Sequence, residues 1–114
     1  MSDDYITIRP AEGTWVVRAG GAVIGESSRA LELREGSYDP VIYFPREDVA
    51  MPFLDRSDKT TTCPHKGEAS YFTIVTKSTT IPNAVWSYED PKANVSRIGG
   101  HLAFYTDRIA VEQV

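Results

Sequence analysis

Gly20 and Gly21 separate a Trp-Val-Val-Arg run at residues 15–18 from an Ala-Val-Ile run at residues 22–24, and this juxtaposition constrains the chain more than any other. Aromatic and β-branched residues suit a pleated, half-buried surface. Paired glycines reach the positive φ angles that a tight primed hairpin turn demands. The segment is therefore expected to be an antiparallel hairpin.

The remaining chain is punctuated in the same manner. Residues 5–9 alternate apolar and polar side chains and end at Pro10, as a half-buried strand should. Residues 30–35 have helical propensity but also fit alternation, and are taken as a strand ended by Gly36 and the turn at 37–40. Residues 41–44 form a buried strand stopped by Pro45. Asp48 is expected to cap a short helix over residues 49–56, with Pro52 in its first turn. A polar stretch at 57–62 leads to Cys63, followed by a strand at 71–76, a turn at 81–83 and a strand at 84–88. Residues 91–97 are expected to form a loop or one helical turn. Residues 102–105 are expected to pair with 109–111 across 106–108. Seven to nine short strands and one or two short helices result, without the crossover helices that a parallel sheet needs. The expected fold is a mostly β, single compact antiparallel domain covering residues 1–114.

Twelve basic and sixteen acidic residues leave a net charge of −4, the wrong sign for general attraction to nucleic-acid backbones. No apolar run approaches the roughly 18 residues of a membrane-spanning helix, and the Met-Ser-Asp-Asp start lacks the basic and apolar regions of a secretory signal. Cys63 is the single cysteine, so no internal disulfide can form and a reducing, cytoplasmic setting is expected. No cofactor, nucleic acid or membrane is called for. Exposed strand edges permit a homodimer without requiring one.

Several blocks are similar to a known family. They are Tyr43 to Val49 (Tyr-Phe-Pro-Arg-Glu-Asp-Val), then Cys63, Pro64, Lys66, Gly67, Ala69 and Tyr71, then Trp86, Tyr88 and Pro91. A closing segment adds Ile98, Gly100, Phe104 and Tyr105. On these residues the chain resembles the domain of unknown function 427 family over nearly its whole length, with His65 the one departure, standing where many relatives carry an aromatic. The resemblance implies a β-rich fold of the Mss4-like, tent-shaped type and no established activity. A nucleotidyltransferase-like label sometimes attached to the family implies a glycine turn followed by paired acids that hold magnesium. Here Gly99 and Gly100 are followed only by Asp107, with no second acid two places on. The zinc knuckles of other tent-like domains need more cysteines than this chain has.

Two chemistries compete for these residues. Cys63 is a candidate nucleophile, because a neighbouring cation such as Lys66 or His65 favours a thiolate. Alternatively Tyr43, Tyr71, Trp86 and Tyr88 wall a binding pocket in which Lys66 and Arg46 orient a small guest, anions included, and Asp48 joins a polar network. The plain alternative is structural: aromatics filling the core, His101 simply hydrogen-bonded, and a Cys-Pro-His-Lys-Gly turn whose Lys66 pairs with Glu68 or Asp48. A metal set of Cys63, His65 and His101 has no spacing to recommend it. The preferred expectation is small-ligand binding near Cys63 and Lys66.

Overall fold

The glycine-centred hairpin forms as expected: β2 (Trp15–Ala19) and β3 (Ala22–Ser27) are antiparallel, with Gly20 at φ 54° and Gly21 at φ 85°. The structure is a computed structural model and describes residues 5–114. In β3 the register slips between the Val17–Gly25 and Arg18–Val23 pairs, leaving Ile24 as the extra residue of a bulge. Such an insertion re-aims a side chain, and Ile24 is fully buried.

Two more antiparallel sheets surround this hairpin. β1 (Ile6–Pro10), β4 (Leu31–Glu35) and β5 (Val41–Tyr43) lie in the order β1-β4-β5, so residues 30–35 follow their alternation and not their helical propensity. β6 (Leu54–Cys63), β7 (Gly67–Val75), β8 (Thr80–Ser87) and β9 (Ala103–Phe104) form a meander. β10 (Ala110–Gln113) completes the first sheet, in the order β10-β2-β3.

Four local expectations are corrected. The helix at 49–56 is absent: 3-10 turns occupy Arg46–Asp48 and Met51–Phe53, and neither has a side-chain cap. Pro52 has no N–H to give a helix, and residues 54–56 are drawn into pairing with β7. The polar stretch at 57–62 lies inside β6, where almost every residue after Leu54 is exposed, so no buried face imposes an apolar alternation. The turn at 81–83 is instead a bulge within β8, with Asn83 at φ 50° and a register shift opposite Phe72 and Ile74. The chain reverses earlier, where the amide of Thr76 donates to the carbonyl of Thr79. Finally, residues 110–113 pair with β2 and not with residues 102–105. The carbonyl of Tyr105 accepts the amides of both Arg108 and Ile109, so the chain winds through a helical turn and leaves β9 behind.

Side-chain alternation divides the interior. Tyr43 and Phe44 are adjacent and both buried, but they belong to different apolar clusters, because successive strand residues face opposite ways. Phe44 joins Ile24, Ile74, Val85, Leu102 and Phe104 in the larger core. It bridges to Leu102 through reciprocal backbone hydrogen bonds of 2.8 and 2.9 Å. Tyr43 turns toward Leu33, Tyr71, Tyr88, Val95 and Ile98, the cluster that opens into a cleft.

Candidate ligand cleft

The tight turn joining β6 to β7 aims Lys66 inward. Its amide donates to the Cys63 carbonyl at 3.2 Å, and its carbonyl accepts the Lys92 amide at 2.9 Å. Gly67 follows at φ 113°, a backbone state that side chains bearing a Cβ rarely enter. A Cβ there would find nothing closer than 3.6 Å, so conformation and not space calls for glycine.

The Lys66 ammonium is 9% exposed as a residue and donates to Glu35 Oε1 at 2.7 Å and to Cys63 Sγ at 3.5 Å. Its carboxylate partner is thus Glu35, at the end of β4, and neither Glu68 nor Asp48. Glu68 is exposed on β7, and the Asp48 carboxylate is taken up elsewhere.

Aromatic side chains of β5, β7 and β8, with Tyr88 and Tyr105 just beyond β8 and β9, complete the walls. Trp86 Nε1 donates to the Tyr43 hydroxyl at 3.2 Å, with the rings edge to face at 87°. Tyr105 lies 4.6 Å from Trp86 and stacks with Tyr71 at 6.4 Å and 8°. The Tyr105 hydroxyl donates to that of Tyr71 at 3.4 Å, and the Tyr71 hydroxyl meets Thr61 Oγ1 at 2.9 Å. Burial pushes the phenols of Tyr43 and Tyr88 well above their ordinary range. Burial, followed by the bond to Tyr71, raises Tyr105 to about 12. All three stay neutral across the physiological range.

These residues, with Leu33, Val41 and Asp39, enclose a cleft of about 300 Å³. A second cleft of about 300 Å³ adjoins it, sharing Asp39, Val41, Trp86 and Tyr105 and adding Trp15 and Phe104. Trp86 and Tyr105 therefore form a partition with a hollow on either side.

Of the residues singled out in the sequence, Tyr43, Lys66, Tyr71, Trp86 and Tyr88 line the first cleft. Cys63 touches the Lys66 ammonium but is not part of the lining. Arg46 and Asp48 lie outside it. Arg46 forms a two-pronged pair with Glu89 at 3.0 and 2.9 Å, its guanidinium 5.7 Å from the Phe72 ring centre. That pairing, with a further hydrogen bond from Ser87, lowers Glu89 to about 2. Asp48 accepts from Ser27 Oγ at 2.6 Å and from Arg29 at 3.1 Å. The Ser27 bond first, and Arg29 after it, hold Asp48 below the usual carboxylate range. His101 Nδ1 meets the Gly99 carbonyl at 3.2 Å.

Sequence reasoning overlooked Glu35 and Asp39. Glu35 was detectable, since Leu31, Leu33 and Glu35 share one face of β4 by the two-residue period. Asp39 sits in an exposed turn that no periodicity marks. Among the described residues, no three His, Cys, Asp or Glu side chains are placed to hold a metal ion, and no helix is long and apolar enough to cross a membrane.

The family model described as Domain of unknown function (DUF427) matches residues 7–114. The chain belongs to the DUF427 family. No curated protein matches it. The sequence blocks singled out above, far apart along the chain, meet in space: Tyr43, Lys66, Tyr71, Trp86, Tyr88 and Tyr105 all border the first cleft.

Proposed function

We propose that this DUF427 chain is a binding domain for a small organic molecule held in the Tyr43–Trp86 cleft. The observation that carries this reading is the convergence of the motif residues on one concave, mostly aromatic surface. Ligand sites are commonly apolar hollows with a few placed polar groups, and here the polar groups are the Glu35 carboxylate, the Lys66 ammonium and the tyrosine hydroxyls.

The enzyme alternative is favoured by one contact, the 3.5 Å approach of Lys66 Nζ to Cys63 Sγ, because a cation stabilises a thiolate nucleophile. Binding is preferred because Cys63 is not among the residues that line the cleft. Nucleotidyl transfer draws no support from the glycine turn. The Gly99 amide donates to the Ser96 carbonyl and the Gly100 amide to the Tyr88 carbonyl, each at 3.0 Å, so neither is free to cradle a phosphate.

The test is an NMR titration with small uncharged aromatic probes such as phenol, following the two tryptophan indole N–H signals. Binding in this cleft is expected to move the Trp86 signal, and not that of Trp15 in the adjoining cleft, in the wild type and in Cys63→Ser alike. Probes that leave Trp86 unmoved at millimolar concentration would defeat the reading, and loss of binding in Cys63→Ser would shift it toward the thiol.

A further inference from the structure

We infer that the guest of this cleft is an organic cation, an alkylated ammonium group seated against the tyrosine and tryptophan faces with Asp39 as its counter-charge. The inference rests on the binding role proposed above for the same cleft.

Charge balance comes first. The acidic and basic side chains of the lining are Glu35, Asp39 and Lys66. Lys66 and Glu35 neutralise each other at 2.7 Å. Asp39 is exposed, so the charged side chains of the lining itself sum to one negative charge, two carboxylates against one ammonium. An anion would have to displace the Glu35 carboxylate from Lys66 or lie beside Asp39, and like charges repel.

The walls select the same sign. An aromatic ring carries negative potential on its face, and a cation within about 6 Å of the centroid is attracted to it. Tyr43, Tyr71, Trp86, Tyr88 and Tyr105 all border the hollow. Tyr71 and Tyr105 stack on each other and already hold the protein's own cations, Lys59 Nζ at 4.7 Å from the Tyr71 ring centre and the Arg108 guanidinium at 5.7 Å from that of Tyr105, so Tyr43, Trp86 and Tyr88 are the rings left to a guest.

Alkylation follows from the scarcity of acceptors. A bare ammonium brings three N–H donors, each of which needs an acceptor when buried. Here Glu35 is shared with Lys66, the Tyr43 hydroxyl already accepts from Trp86, and Asp39 is an exposed carboxylate that can balance a charge without offering a buried acceptor to each N–H. A quaternary ammonium has no donor to satisfy, and its methyl groups match Leu33, Val41 and the ring faces. About 300 Å³ lies at the small end of ligand pockets, so a compact guest fits best.

The experiment titrates the full chain, at low ionic strength, with choline and with its uncharged isostere, in which a tert-butyl group replaces trimethylammonium. The Trp86 indole N–H signal reports binding in each case. Choline is expected to bind about ten-fold more tightly than the isostere. Asp39→Asn should weaken choline by about two- to five-fold, a modest loss because the carboxylate is exposed, without moving the isostere. This variant lies at the surface, where a carboxamide in place of a carboxylate leaves the fold intact. A trimethyllysine peptide that binds more tightly than choline would support the same chemistry from a protein-borne source. Equal affinity for choline and the isostere would overturn the cationic assignment and leave the cleft a binding site, as would tighter binding of benzoate. If neither choline nor the uncharged aromatic probes shift Trp86, the binding role itself falls and this inference with it.

Discussion

Lys66 and Glu35 meet at 2.7 Å, joining the β6–β7 turn to the end of β4, with their side chains only 11% and 23% exposed. The pair ties two different sheets together at the cleft. Removing one member of a poorly solvated pair strands the other charge and is more costly than replacing both. Glu35→Gln should therefore destabilise the fold by about 2–3 kcal/mol. Adding Lys66→Met in the same chain should recover a large part of that loss. A double-mutant cycle by urea denaturation measures the coupling, and additive effects would show that the contact contributes nothing.

Gly25 lies where β3 passes the 3-10 turn at Arg46–Asp48 and bridges to Val49. A Cβ at this position would come within 3.0 Å of the Asp48 carbonyl oxygen and 3.3 Å of Val49 Cα. Both are backbone atoms and cannot rotate away. Gly25→Ala is expected to cost about 1–3 kcal/mol through overpacking, although alanine usually favours folding by restricting the unfolded chain. An unchanged or raised melting temperature would contradict the close approach.

Glu89 provides a test in pH. Its folded value of about 2 lies below the ordinary 4.5, chiefly through Arg46 and then Ser87. A depressed carboxylate contributes stability that is present above its unfolded value and is lost as pH falls through the folded one. Wild-type stability should decline between pH 4.5 and about 2, and Glu89→Gln should flatten part of that decline. Asp48 is shifted in the same direction by Ser27 and Arg29, so some slope persists in the variant. Thermal melts of both proteins across this window would reveal the difference, and parallel curves would exclude the Arg46 contact as its source.

The Trp86 Nε1 to Tyr43 hydroxyl bond, 3.2 Å long, also lends itself to substitution. Tyr43→Phe preserves the ring and leaves the indole N–H without its acceptor, so a loss of about 1 kcal/mol is expected. The indole N–H should then exchange faster with solvent. Unaltered exchange would show that the hydroxyl does not hold Trp86 in place.

Local rules suffice where one residue type meets one backbone requirement. The paired glycines gave away the β2–β3 hairpin, and alternation overrode helical propensity in β4 because its leucines had a core to face. They fail where a segment has no buried face. β6 is nearly all exposed after Leu54, and its strand character comes from hydrogen bonding to β7, a partner that β6's own residue pattern cannot reveal. Pro82 and Asn83 carry turn chemistry but serve as a bulge, because the flanking residues pair on both sides of them.

By itself, the order of residues determined that the chain is β-rich and antiparallel, and it marked Tyr43, Lys66, Tyr71, Trp86 and Tyr88 as residues of interest, since strand period, turn residues and motif spacing are local properties. Only the tertiary structure decided that these residues share a cleft from which Arg46 and Asp48 are absent, and that Glu35 takes the Lys66 charge. The physical reason is that charge pairing and pocket shape depend on which strands become neighbours. That choice is made by burial and hydrogen bonding between segments tens of residues apart, as in the 31-residue separation between Glu35 and Lys66.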